Sequence, residues 1–299
     1  MKKFCVNAFF TGFIALGLTS AVASAQTETP TVGDVHPDGK GNFSLARRGT
    51  GINYHGGPIL GTTSPTSLYY IWYGNWGGNS ATTILTDFAN TLGGSPYYNI
   101  NTSYYNSAKA HITNAITYAG STNDAYSQGT NLSDTTLQAV VQLALTNGAF
   151  PADANAIYMV LTSQDVNETS GFCTQYCGFH THATMSGVDI KYAFIGNAAR
   201  CITTCASTNT TISPNGNVGA DEMASVIAHE FEEAASDPDL NAWYSTSSGQ
   251  ENADKCAYIY GTEYTTGNGA KANMKLGTRD FLIQQNWLNI SPGSCQTSH

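Results

Sequence analysis

Apolar positions along this chain recur with two periods, and the period assigns each stretch to a strand or a helix. Ser67–Tyr73 is an unbroken apolar and aromatic run between Pro65 and Gly74, which predicts a buried strand. Ile84, Leu85, Phe88 and Leu92 then recur at helical spacing and are closed by Gly93-Gly94. Leu137, Val140, Val141, Ala144 and Leu145 predict a second helix, with Ser133 or Asp134 as its cap and Gly148 after it. Ala156–Leu161 and Lys191–Ile195 read as two more strands. The last strong pattern is helical, from about Asp221 to Ser236. Met223, Val226, Ile227, Phe231 and Ala234 mark its apolar side, and Pro238 stops it near Asp237. This spacing predicts a half-buried helix resting on a sheet.

Strands alternating with helices place the chain in the α/β (α+β) class: a single domain with a mixed β-sheet and packed helices. That domain spans residues 50–299, with neither an internal repeat nor a second linker to divide it. Ahead of it, Lys2 and Lys3, the apolar run from Phe9 to Leu18 and the small residues Ala23-Ser-Ala25 read as a signal peptide over residues 1–25. Residues 26–49 hold few apolar side chains and several turn formers, so a flexible N-terminal segment is expected there. The expected product is exported, with no membrane association once the signal is removed.

Charge narrows the partners. The formal charge is −9, and loss of Lys2 and Lys3 makes it −9 − 2 = −11. An acidic chain is a poor match for nucleic acid, whose backbone is bound by basic faces. Of the seven cysteines, Cys5 leaves with the signal peptide. Cys173, Cys177, Cys201, Cys205, Cys256 and Cys295 remain, an even number that predicts a disulfide-stapled domain in an oxidising compartment. Cys256 and Cys295 each stand apart from the two close pairs, so they are expected to bond to each other. The paired spacing of the other four would also suit a zinc–thiolate site.

The chemistry in this sequence concentrates in His229-Glu-Phe-Glu-Glu233. Residues four apart on a helix share a face, so His229 and Glu233 are placed to bind one zinc ion together. Glu230 stands where the H-E-x-x-H zinc peptidases carry their general base. In this sequence the second histidine of that pattern is replaced by Glu233. A catalytic zinc usually has three protein ligands. Asp254 is the expected third, with Glu251 as second choice and Asp239 as a further alternative. This predicts a zincin-like arrangement with the His229 helix beneath the site. His55, in a glycine-rich turn, and His180, close to Cys177, are expected to line it. Trp72, Trp76 and Trp243 suit either a sugar-stacking surface or, more commonly, a core.

Several further segments carry a resemblance. Tyr54-His-Gly-Gly-Pro58, Leu68-Tyr-Tyr-Ile-Trp-Tyr-Gly-Asn-Trp76, Phe172-Cys-x-x-x-Cys-Gly-x-His180, Pro214-Asn-Gly-x-Val218 and Asn241-Ala-Trp-Tyr244 together resemble the phosphate-induced protein/EXORDIUM family, in the same order, from about Ile52 to Cys295. The resemblance implies an extracellular or wall-associated protein linked to growth, and it supplies no defined biochemical activity. Two functions are therefore expected to compete. One is a secreted metal-dependent, peptidase-like hydrolase acting on a peptide or a cell-wall component; the other is a non-catalytic extracellular factor. The cysteine reading has a direct check: thiol titration of the denatured, unreduced mature protein is expected to find no free thiol, and four or more would restore the zinc–thiolate alternative.

Overall fold

The two longest apolar runs of the sequence lie side by side at the centre of a sheet. In the computed structural model, which describes residues 51–299, the elements follow in the order β1 (Thr66–Tyr73), α1 (Ala81–Leu92), β2 (Ile116–Asp124), α2 (Asp134–Thr146), β3 (Ala156–Thr162), β4 (Gly178–Met185), β5 (Val188–Ile195) and α3 (Val218–Ser236). The expected signal peptide and the 26–49 segment lie outside the described residues. The strands pair in the order β2-β1-β3-β5-β4, all parallel except β4, which runs antiparallel to β5 along one edge. The sheet is therefore mixed, as the alternation of strands and helices predicts.

Alternation of side chains along a strand explains why β1 and β3 are apolar throughout. Leu68, Tyr70 and Trp72 face one core, which they share with α1 and α3. Tyr69, Ile71 and Tyr73 face the opposite core, covered by α2. Trp72, Trp76 and Trp243 are all buried, so they belong to the core and form no sugar-stacking surface. At the start of α2 a capping box decides between the two expected caps: the Ser133 hydroxyl accepts from Thr136 N–H, and the Thr136 side chain accepts from Ser133 N–H.

Two strands were not apparent from hydrophobic pattern. β2 is an edge strand of Thr, Ser, Gly and Asn, with alternate positions exposed, and it gains its place through pairing with β1. β4 begins at Gly178, directly after a cysteine, and carries His180 and His182 at positions where a strand usually shows apolar residues. Only tertiary pairing with β5 makes it a strand.

The expectation of a half-buried α3 is corrected: every residue of this helix from Gly219 to Ser236 is buried. Its apolar stripe meets the sheet and α1. Its acidic side is covered by the chain that follows, which returns over the helix in short ribbons such as Met274–Leu276 with Arg279–Phe281 and Asn286–Leu288 with Ser294–Gln296. The helix begins at Val218, earlier than its apolar pattern suggests, because the Asn217 side chain caps it by accepting from Ala220 N–H. It stops at Ser236, before Pro238.

Three disulfides staple the domain: Cys173–Cys201, Cys177–Cys205 and Cys256–Cys295. The last is the pairing expected from the isolated positions of its two cysteines. With all six sulfurs joined in pairs, the zinc–thiolate alternative has no ligands. Within the core, Phe231 of α3 is fully buried and packs edge-on against Tyr98, with ring centroids 5.5 Å apart. Phe231→Ala is expected to lower unfolding free energy by about 3–5 kcal/mol in denaturant titration, the usual cost of a buried aromatic truncation.

Candidate metal centre

Helix α3 brings the motif together as its spacing requires. His229 and Glu233 stand one turn apart, with Nε2 and Oε1 separated by 3.3 Å. The segment Glu251–Asp254 lies against them, and Asp254 Oδ1 is 3.8 Å from His229 Nε2. Ligand-type atoms of His229, Glu233 and Asp254 all fall within 4.8 Å of one another, so the fold brings these three side chains together. His229 Nδ1 faces Gln284 Oε1 at 3.4 Å, while its Nε2 lies on the side of Glu233 and Asp254.

A second group shares Glu233. His180 projects from β4 toward α3, with its Nε2 3.1 Å from Glu251 Oε2 and 3.9 Å from Glu233 Oε2. His180, Glu233 and Glu251 also lie within 4.8 Å of one another. The carboxylate of Glu233 thus presents Oε1 to one triad and Oε2 to the other. Burial is deep: His180 is 2% exposed, Glu251 6% and Glu233 not at all. Among these five side chains Asp254 is the most exposed, at 24%.

The loop that carries Glu251 and Asp254 is held by buried amides. Asn252 Nδ2 donates to Asn101 Oδ1 (2.9 Å) and to the Glu232 carbonyl (3.1 Å), and Asn101 Nδ2 donates to the same carbonyl at 2.9 Å. Asp254 N–H donates to Glu233 Oε1 at 2.8 Å, tying the loop backbone directly to the helix. Covalent anchors flank both segments. Cys256 follows Asp254 by two residues and is bonded to Cys295, while Cys177 precedes His180 by three and is bonded to Cys205. Gly178 permits the close approach of β4 to α3, since a Cβ there would lie 2.5 Å from Val226 Cγ1 and 2.8 Å from Glu230 Oε1.

The acids of α3 divide into two kinds. Glu232, wholly buried, has its carboxyl pushed well above the usual range by desolvation, although Asn286 Nδ2 donates to it at 2.7 Å. Burial pushes Glu222 up to about 7, against two hydrogen bonds from Ser207 N–H and Oγ. Desolvation also raises Asp221 and Asp237, each of which accepts hydrogen bonds from neighbouring loops. These four brace the helix. Glu233 instead faces two imidazoles. Tyr97 and Tyr104, buried near Glu232 and Glu233, have their hydroxyl pKa raised, chiefly by desolvation.

Other residues expected at the site go elsewhere. His55 does not line it: the ring is exposed, stacked on Tyr244 with centroids 3.7 Å apart, on the ribbon formed by Asn53–Tyr54 and Trp243–Tyr244. Asp239 joins a separate group with His182 and Asp189, into which Lys191 Nζ already inserts at 3.1 Å from Asp239 and 2.8 Å from Asp189. The carboxylate of Glu230 is not among the converging atoms and lies against Gly178, beside the centre. Sequence reasoning gave His180 only a lining role and did not single out Asn101, Asn252 or Asn286. The alternation of His180 and His182 was the available signal, since residues two apart in a strand share a face.

The donor set of two imidazoles and three carboxylates suits zinc or another divalent ion of similar hardness. Clustered buried carboxylates repel one another unless they are protonated or share a cation.

The raised carboxyl of Glu222 gives a pH test. Its folded pKa of about 7 lies above the ordinary value of 4.5, so the folded state holds the proton more tightly. Stability is then greatest below about pH 4.5 and falls as pH rises to about 7, by about 3 kcal/mol at most. Glu222→Gln is expected to flatten that decline in urea titrations between pH 5 and 8.

Comparison with known proteins places these features in context. The phosphate-induced protein 1 conserved region matches residues 52–280. Protein EXORDIUM-like 3 of Arabidopsis thaliana is 33% identical, over 84% of this chain and 83% of that protein. Protein EXORDIUM-like 5 of the same plant is 32% identical, over 79% and 75%. Protein PHOSPHATE-INDUCED 1 of Nicotiana tabacum is 27% identical, over 70% and 72%. No solved structure matches the chain significantly.

Proposed function

The chain belongs to the phosphate-induced protein 1 family, and from that premise we propose that it is an exported, metal-dependent hydrolase of the EXORDIUM type, holding a divalent ion through His229, Glu233 and Asp254. The convergence of those three side chains within 4.8 Å carries this reading. Zinc, when bound to such a set, supplies Lewis acidity and acidifies a coordinated water. His229 would offer Nε2 to such an ion, with Gln284 facing its Nδ1. Glu233 and Asp254 would offer carboxylate oxygens, and the backbone bond from Asp254 to Glu233 holds the two residues in register. Glu230, next to His229 on the helix, is the group assigned to take the proton from water. Substrate reaches the centre on the Asp254 side, where the ligand set meets solvent. A peptide or a wall component is the substrate class.

A specific observation favours a second reading. Glu233 and His180 are almost fully enclosed, which suits an ion that clamps loop 251–254 to α3 in a non-catalytic extracellular factor.

Elemental analysis of protein purified without chelator is expected to find stoichiometric divalent metal in the wild type and a marked loss in His229→Ala. Against a fluorogenic peptide library, Glu230→Gln is expected to lower turnover by about 10²–10⁴-fold while retaining metal. Metal without turnover in the wild type would establish the clamp reading, and absence of metal would overturn both.

A further inference from the structure

Two of the three disulfides lie side by side and touch. Cys173–Cys201 and Cys177–Cys205 join the same two segments, four residues apart at each end, and Cys201 Sγ stands 3.5 Å from Cys205 Sγ. We propose that this pair is a thiol–disulfide exchange site for a dithiol, in which reduction enters at Cys173–Cys201 and ends with free thiols at Cys173 and Cys177. The inference is independent of the metal centre.

Access is the first observation that carries it. An open cleft of about 620 Å³ has both Cys173 and Cys201 in its wall. Each of these cysteines is partly exposed, whereas Cys205 of the neighbouring bridge is buried. Exchange requires a thiolate to reach a sulfur of the bond, so the outer bridge is the point of entry. Arg200 also lines the cleft, and a nearby cation favours the thiolate form of an incoming thiol. The carboxylate of Glu168, on the same wall, is engaged by Ser170 N–H and the Tyr176 hydroxyl.

The second observation is the backbone at Cys173, held at φ +69° in the left-handed region that L side chains rarely adopt. Opening its bridge lets this residue relax. The third is that the chain can hold the product. Cys205 N–H donates to the Cys201 carbonyl at 2.9 Å, as in a helical turn. Residues four apart on a helix have Cα atoms about 6 Å from each other, within the span of a disulfide.

The exchange balances. One thiol of the dithiol attacks Cys173–Cys201, and its second thiol displaces the mixed disulfide so formed. The dithiol leaves as a disulfide, having given two electrons and two protons to Cys173 and Cys201. Cys201, as thiolate, then attacks Cys205 Sγ, forms Cys201–Cys205 and expels Cys177, which takes up the proton that Cys201 lost. The Thr204 carbonyl, 3.8 Å from Cys177 Sγ, is placed to accept the new S–H. Cys177 directly precedes β4, so the exchange releases the covalent anchor of that strand.

The test treats the folded mature protein with one molar equivalent of dithiothreitol, quenches with acid, labels free thiols with N-ethylmaleimide and maps tryptic peptides. Trypsin places Cys173 and Cys177 on peptide 110–191 and Cys201 and Cys205 on peptide 201–255. Before reduction the two peptides are joined by both bridges. Afterwards, both labels are expected on 110–191, with an unlabelled, internally bonded 201–255 and the peptides separate. Labels at Cys173 and Cys201 with the peptides still joined would overturn the exchange step, as would four labels on some chains and none on the rest. No label on either peptide, or labelling first at Cys256 and Cys295, would overturn the entry site. In Cys177→Ser/Cys205→Ser, which has no second bridge to receive the exchange, the labels are expected at Cys173 and Cys201. Should that variant fail to fold, the wild-type map decides alone.

Discussion

A helix that carries six acidic residues or caps cannot be buried on all sides unless each carboxyl is protonated, hydrogen-bonded or matched by a cation, and α3 with its terminal Asp237 is buried in this way. Much of the architecture around the helix is a response to that constraint. Ser207 folds back to Glu222, Asn286 reaches Glu232, and the loop after the helix wraps Asp237 with two backbone N–H groups. Glu233 accepts a hydrogen bond from Asp254 N–H and also faces His229 and His180.

The division is chemically coherent. Carboxyls met by hydroxyl and amide donors are driven by burial toward the protonated state and act as struts. Glu233, Glu251 and Asp254 instead stand beside imidazoles, and a shared cation, on the reading proposed above, would let them remain ionised without the repulsion that close carboxylates otherwise suffer. Rigidity is built in from both directions. The Asn101–Asn252–Glu232 network fixes the loop from inside the core, and disulfides at Cys177 and Cys256 fix the two ligand-bearing segments from outside. Metal sites need this kind of support, because ligands placed on mobile loops lose the orientation that gives affinity.

Enclosure sets the balance between catalysis and clamping. The Asp254 side chain is the most exposed of the candidate ligands, so on the metal-hydrolase reading substrate would have to approach at that point. The chain shares this domain with the plant EXORDIUM-like proteins along most of its length, and their names carry no activity. The reading of a metal hydrolase therefore stands on the side chains of this domain and on the chemistry they permit.

Periodicity determined a good part of the result. The apolar runs of β1 and β3, the helical stripes of α1, α2 and α3, and the stop at Pro238 are local properties, because side-chain direction follows directly from backbone repeat. The same rule placed His229 and Glu233 on one helical turn, and the count of cysteines anticipated the staples. What periodicity could not supply was any relation across distance. β2 and β4 are strands through their partners, His180 reaches the centre only because β4 pairs at the sheet edge against α3, and His55 looked equally suitable in sequence yet packs on Tyr244. Whether α3 was half or wholly buried depended on where the last sixty or so residues fold back, information that an apolar stripe does not contain. Convergence of Glu251 and Asp254 on a helix some twenty residues earlier was decided by buried amide hydrogen bonds and a disulfide, because directional bonds, unlike hydrophobic pattern, leave no repeat in the sequence.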